Sequence, residues 1–398
     1  MTVLRTIFLL TLIGAAGSAS AQAMVDCDSL PNVVYFQVGD TQEPLMKALG
    51  RKLRDSAVRP VTMVYLTSGS CTNIEVIYTG GKITMNPKYV PSTTEDPAWT
   101  IAMPPLSCAI RAGGAPVDVA NSALFVSACN EAAAPAGIGS FSGPIQPYVF
   151  VTPTGSSQTA LTAEEAYFVF GFGTAGMAEP WIDEAFYFIR TTTKSTLLAL
   201  AANIRVPGAK WKGTKLDKSS EVVMGVNMSN SPEKTIGILG AEIYDKNRAT
   251  MKALAFKAFG QKYAYYPDSS ATAKDKRPTR EGQYVPWSPT VYLTRVLNER
   301  AENSDAGYVI DLITSRTTTT TPDFSVLRVI SEQGLVPDCA MKVKRDREGG
   351  DLSPYSPAVP CGCFYESVVD AASSSCTTCA DDGPCGAGKC RYGFCEVR

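Results

Sequence analysis

The sequence contains no histidine among its 398 residues. That absence removes the Ser-His-Asp and Cys-His nucleophile systems, and every histidine metal site, in one step. A Ser-Lys pair or two carboxylates remain as routes to hydrolysis. The acidic pairs Glu164-Glu165 and Asp183-Glu184, however, are adjacent in sequence. Adjacent residues on a helix do not face each other, so both pairs read as solvated surface. An excess of positive charge is also missing: 37 Lys and Arg stand against 38 Asp and Glu, a formal net charge of −1, with no basic run. A nucleic-acid partner therefore has no electrostatic footprint here. Beyond the N-terminus no apolar run approaches the roughly 18 residues a membrane helix needs, so no transmembrane segment is expected in the mature chain. No internal repeat is visible.

What is present starts with an export signal over 1–23. Arg5 supplies the positive start, TIFLLTLIGAAG an apolar run, and Ala21-Gln22-Ala23 a small-residue cleavage site. A cleaved leader places the mature chain in the periplasm or outside the cell, with a net charge of −2 once Arg5 is gone. The 12 cysteines, none of them in the leader, fit that destination, because disulfides persist where the cytosolic reducing system is absent. The remaining chain is long enough for two core-bearing lobes.

Strand and helix patterns alternate. VVYFQV (33–38) is a buried strand, and Gly39-Asp40-Thr41 breaks it. Pro44 opens a helix with Leu45, Leu49 and Leu53 at four-residue spacing. VTMVYL (61–66) is the next strand, followed by a helix starting near Thr72, and Asp118-Val119-Ala120 is a third. A second unit begins near Pro144, with QPYVFVT (146–152) as a crossing strand. Thr162 and Glu165 form a capping box for the helix after it. AFYFIR (185–190), a helix over 196–204, TIGIL (235–239), a polar surface loop over 264–290, a returning strand at 291–296 and a helix over 323–332 complete the series. This is the α/β pattern with a parallel sheet, whose ligands bind in loops at the carboxyl ends of strands.

The last 60 residues differ in kind. Eight cysteines lie in this stretch, and aliphatic residues are scarce. A segment that short needs cross-links. Cys361, Cys363, Cys376 and Cys379 have spacings that would also suit a four-thiolate zinc site. Disulfides are the expectation for Cys339, Cys361, Cys363, Cys376, Cys379, Cys385, Cys390 and Cys395, with no metal and no cofactor. Cys27, Cys71, Cys108 and Cys129 belong to the first lobe and allow three pairings. Cys108 with Cys129 is favoured because the two flank the Asp118 strand. Tyr392 and Phe394, in CRYGFC, are a candidate contact surface.

The loops resemble, in order, those of the phosphate-binding proteins of bacterial ABC transporters. VYFQVGDTQEP is similar to that family's opening strand and G-x-T turn. YLTSGSCTNI is similar to its G-S-G-rich helix start, and VDVANSA to its D-x-G-x-S-D loop. LTAEEAYFVFGFGTAGMAEPW resembles the helix leading to its W-x-D-P segment, FYFIRTTTKST its R-x-x-x-S-G-T motif, and TIGIL its later G-x-I-G strand. The match runs over roughly residues 32–335.

The resemblance implies an α/β, two-lobed periplasmic-binding-protein-like fold with a cleft between the lobes. Lobe one would span 24–145 and 291–338, lobe two 146–290, and a cysteine-rich tail 339–398. The family's donors fall on Thr41, Ser70, Arg190 and Thr196, and its backbone N–H falls on Gln42. Ser122 holds its third-loop position, and Ser195 stands at the Gly of S-G-T. Hydroxyls, N–H groups at helix N-termini and one bidentate Arg would clasp a small oxyanion, phosphate first, for an ABC permease and without turnover. Two residues depart from the pattern. Ala123 stands where the family has an acidic acceptor, and Lys194 replaces a Ser. The rival reading is a binding fold that has lost its ligand and serves as an exported envelope or interaction protein.

Overall fold

The computed structural model describes residues 24–318, 320–371 and 375–397. The leader expected over 1–23 lies outside them. No helix among the described residues is long and apolar enough to cross a membrane.

The principal elements are β1 (Val33–Gly39), α1 (Glu43–Asp55), β2 (Thr62–Ser68), α2 (Ser70–Tyr78), β3 (Val119–Ser122), β4 (Ile138–Pro153) and α3 (Ala163–Phe172). They continue with β5 (Tyr187–Arg190), α4 (Ser195–Ile204), β6 (Thr214–Leu216), α5 (Ser219–Asn227), β7 (Ile236–Gly240) and α6 (Ala241–Asn247). The C-terminal part holds α7 (Arg277–Glu281), β8 (Trp287–Leu297), α8 (Ser304–Ile313), α9 (Val326–Glu332) and α10 (Gly362–Val369).

Local chemistry accounts for several boundaries. Pro44 sits in the first turn of α1, Glu43 faces the positive end of its dipole, and Lys52 and Arg54 face the negative end. Leu45, Leu49 and Leu53 are buried, as their spacing requires. The capping box at α3 forms in both directions between Thr162 and Glu165. β4 begins well before the expected Gln146, because glycines allow a strand to pass under a partner's rings. A Cβ on Gly143 would lie 2.8 Å from Tyr292 of β8.

One twelve-stranded sheet runs in the order β6-β5-β7-β4-β8-β3-β1-β2, with two short strands beyond β2 and one further short strand paired to each of β4 and β8. β1 pairs in parallel with β2 and β3, and β5 with β6 and β7. The two parallel halves meet through the long antiparallel strands β4 and β8. Residues 138–147 of β4 pair with β8, and residues 148–151 pair with β7. Each half has its own core. In one, Val34, Phe36, Leu45, Leu49, Val309 and Ile330 pack on one face of the sheet and Val64, Ile74 and Ile77 on the other. In the other, Phe150 stacks between Phe170 and Phe256 at 5.6 and 5.5 Å, and Phe170 stacks on Trp211 at 4.3 Å. This is an α/β architecture of two halves joined by crossing strands, with a cysteine-rich appendage.

Two expectations need correction. The segment 264–290 is not a plain surface loop, since it carries α7 and the start of β8. It also buries Asp268, Lys276 and Arg280. Lys276 Nζ meets Asp245 at 2.8 Å and Asp268 at 2.9 Å, and Arg248 meets the same two carboxylates at 2.6 and 2.7 Å. Charges that look like loop composition are buried here because they pair.

The favoured Cys108–Cys129 bridge is replaced by Cys27–Cys108 and Cys71–Cys129. Cys27 N–H donates to Ala109 O at 3.0 Å, which brings the N-terminal segment beside Cys108. α2 packs across β3 and carries Cys71 to Cys129 just beyond that strand. The tail bridges are Cys339–Cys361, Cys363–Cys376, Cys379–Cys390 and Cys385–Cys395. All four candidate zinc ligands are therefore in disulfides.

The tail has a small core of its own making with the crossing strands. Phe364, Tyr365 and Met341 pack with Ile145 of β4 and Trp287 of β8.

Candidate functional site

The loops after β1, β2, β3 and β5 end at one place, where the two halves of the sheet face each other. Thr41, Gln42, Ser70, Ser122, Arg190, Ser195 and Thr196 are all buried there. Gly39 marks the convergence of the first-half loops. A Cβ on it would lie 3.7 Å from Thr41 Oγ1, 3.9 Å from Asn121 Oδ1 and 4.0 Å from Ser70 Oγ.

The loops hold one another by hydrogen bonds across the boundary. Cys71 N–H, in the first turn of α2, donates to Thr193 O at 3.3 Å. Ser70 Oγ accepts from Ala123 N–H at 3.1 Å. The hydroxyl of Tyr148, on β4, donates to Ala123 O. Gln42 donates to Gln146 of β4, which donates to Glu242 in the first turn of α6. Burial pushes the Glu242 carboxyl up to about 8. Ser122 is turned to its own loop, accepting from Leu124 N–H and donating to Leu124 O, both at 3.1 Å. The Lys194 side chain is buried and pairs with the exposed Asp217 at 3.0 Å.

Arg190 is fully buried at the end of β5. Its Nε donates to Leu216 O at 3.2 Å, one Nη to Ser219 Oγ, and the other to Asp217 O at 2.6 Å and Asp40 Oδ2 at 2.9 Å. The same Asp40 oxygen accepts from Ser219 N–H at 3.2 Å and from Ser219 Oγ at 2.9 Å. Ser219 opens α5, so a carboxylate from the first half of the sheet caps a helix of the second. The arrangement is an anion position, with a permanent cation, a helix N-terminal N–H and a hydroxyl, and the protein's own Asp40 sits in it.

Several buried polar atoms nearby have no protein partner: Thr41 Oγ1, Gln42 Oε1, Asn121 Oδ1, Thr196 Oγ1 and Glu242 Oε1. An unpartnered buried polar group costs about 1–3 kcal/mol, so such a cluster is characteristic of a site built for something other than stability. A cleft of about 580 Å³ opens beside Asp40 and Ser219, with Lys47, Lys88, Lys218 and Lys246 along its walls and Ile101 and Met103 at its lip. Lys88 is paired with Glu43 at 2.8 Å. The Lys47 ammonium is lowered chiefly by burial; Glu43 opposes that shift, and Lys246 and Lys88 add to it.

Sequence reasoning did not single out Asp40, Ser219, Asn121, Gln146 or Glu242. Asp40 stands next to Thr41 in the first loop, and Lys218-Ser-Ser-Glu221 is a helix-start signal before α5; these were the available cues. Asp118, by contrast, serves the fold by accepting from Tyr35 N–H at 2.8 Å.

No family model matches the sequence, and no curated protein matches it. Solved structures do. A Clostridium perfringens protein assigned as a phosphate ABC transporter substrate-binding protein, with phosphate bound, aligns over 77% of this chain and 99% of its own, at 12% identity and a TM-score of 0.50. An ABC-type phosphate transport receptor from Vibrio cholerae aligns over 77% and 100%, at 12% identity and a TM-score of 0.48. At such identity the likeness to the first shows the fold alone, that of two-lobed solute-binding proteins.

Proposed function

We propose that the protein is an exported solute-binding protein that takes a small oxyanion, phosphate first, between lobes formed by 24–145 with 291–338 and by 146–290, and passes it to an ABC permease unchanged. The observation that carries this reading is the anion position at Arg190. Arg190, Ser219 N–H and Ser219 Oγ together hold one negative oxygen across the boundary between the halves. The unpartnered hydroxyls of Thr41 and Thr196 supply further donors beside it. The Clostridium protein of this fold holds phosphate, and the six disulfides suit an exported chain. Calorimetry with phosphate, sulfate, molybdate and arsenate tests it. Phosphate should give heat, and Arg190→Lys or Thr196→Val should weaken binding at least tenfold. No heat with any of the four rejects the oxyanion reading and leaves the fold untouched.

A second reading is favoured by the same arginine. Arg190 is already paired with Asp40, and Ala123 offers no acidic acceptor. A binding fold closed on its own carboxylate would act as an exported envelope or interaction protein, with Tyr392 exposed on the tail as a contact.

A further inference from the structure

The geometry points to Asp40 as a built-in ligand: its carboxylate occupies the anion position of the site, holds the two halves closed, and must be displaced before an external oxyanion enters. This rests on the oxyanion reading only for the identity of the displacing ligand.

Three observations carry it. First, Asp40 and its partners come from opposite halves. Asp40 follows β1, while Arg190 and Ser219 belong to β5 and α5, 150 and 179 residues away. An ion pair across a boundary that can open differs from one inside a core, because opening separates the charges. Second, a single oxygen, Asp40 Oδ2, accepts all three hydrogen bonds. That is how a bound oxyanion's oxygen is held: by guanidinium, helix N-terminal N–H and hydroxyl together. Arg190 is fully buried and its side chain is completely shielded, whereas the Asp40 side chain is 19% exposed and lines the cleft. The carboxylate is the mobile partner, and the guanidinium the fixed one.

Third, a displaced Asp40 has somewhere to go. The cleft it lines carries Lys47, Lys88, Lys218 and Lys246. Glu43 already pairs with Lys88 at 2.8 Å, which leaves Lys47, Lys218 and Lys246 along the cleft as the cations a displaced carboxylate would meet. Exchange therefore costs little in charge: the incoming anion takes Arg190 and the α5 N-terminus, and Asp40 takes the lysines. The exchange also selects. A monoanion offers Arg190 no more charge than the carboxylate it replaces, and it must compete with a group tethered a few ångströms away, whose effective concentration is high. A doubly charged oxyanion offers more. The class of ligand is thus a dianionic oxyanion rather than nitrate, chloride or a simple carboxylate.

Asp40→Asn tests this, since it keeps the side chain's shape and removes its charge. Circular dichroism establishes that the variant folds; Asp40→Ala, which removes the carboxylate and leaves Arg190 and Ser219 untouched, gives a second perturbation in the same direction. The readouts are phosphate affinity by calorimetry and the ligand-free radius of gyration by solution scattering. Asp40→Asn should bind phosphate at least tenfold more tightly than the wild type, and be more expanded without ligand. Expansion without binding of any oxyanion would keep Asp40 as the latch and remove the oxyanion reading. A folded Asp40→Asn protein that is as compact as the wild type, and binds phosphate no more tightly, overturns the inference.

Discussion

Ser288 of β8 donates a hydrogen bond to Glu348 of the cysteine-rich tail at 2.6 Å. β8 is one of the two strands that pass between the halves of the sheet, so the tail grips the protein at its crossing point. Arg345 lies 3.8 Å over the ring of Trp287, on the same strand, and Gly349 packs against Ala202 of α4. Arg280, beside the second half, binds Ala340 O at 2.9 Å and Glu366 at 2.7 Å. α10 meanwhile packs on α9, in the first half. The tail thus contacts both halves and a crossing strand, and acts as a brace.

Removing the brace should loosen the crossing more than it harms either core. Arg280→Ala leaves Glu366 buried without its main partner, a change that typically costs about 3–5 kcal/mol for a buried pair. Denaturant unfolding should show that loss. Proteolysis of the folded variant should cut first in 339–361, where Arg280 holds the chain at Ala340.

Stability should fall as pH rises from acid toward alkaline conditions. Burial raises Glu242 from 4.5 to about 8 and Glu348 from 4.5 to about 7. A carboxyl with a raised value binds its proton more tightly when folded, so its contribution is fully present below pH 4.5 and is lost as pH climbs through 7 and 8. The slope for each group is at most about 1.4 kcal/mol per pH unit. Glu242→Gln with Glu348→Gln should flatten the curve of melting temperature between about pH 5 and 9 and raise it at the alkaline end. An unchanged slope in the double variant would mean that neither group is neutral in the fold.

Much of the fold was legible because local chemistry and tertiary packing agree. α1 has leucines at helical spacing, and α3 has Thr162 and Glu165 placed to cap each other. Thr162→Ala should cost about 1 kcal/mol, measurable by thermal melting. Thr41, Ser70, Arg190 and Thr196 were picked out by the family resemblance, and they are buried near one another because loops at the carboxyl ends of parallel strands lie together. What escaped was long-range pairing. α8 carries its own cap, with Asn303 accepting from Asp305 and Ala306 N–H, but its run lay unassigned between the strand read at 291–296 and the helix read at 323–332. Nothing local says that Asp40 will meet Arg190, or that Lys276 will be buried against two carboxylates from other elements. Cysteine connectivity is the same kind of information, which is why spacing favoured a wrong partner for Cys108.

The disulfides divide by burial, and reduction should follow that division. Cys27 and Cys108 are fully buried, and their bridge fastens the N-terminal segment to the first core. Cys390 lies in a two-stranded hairpin near the C-terminus, and Cys379 on the segment whose N–H bonds Gly393 O of its turn; both are only partly buried. Mild reductant followed by alkylation and peptide mapping should label Cys379 and Cys390 early and Cys27 and Cys108 last. Denatured, unreduced protein should show no free thiol at any described cysteine. Cys71–Cys129 has the greatest consequence for the site, since Cys71 is in the turn of α2 whose N–H meets Thr193 across the boundary. It closes a loop of 58 residues, so Cys71→Ser with Cys129→Ser should lower stability by about 4 kcal/mol in the chain-entropy estimate. The same pair should weaken any oxyanion affinity, because Ser70 and Ala123 are held together from the two sides of that bridge. A double variant with unaltered stability would show that packing of α2 on β3, not the bridge, fixes the loop.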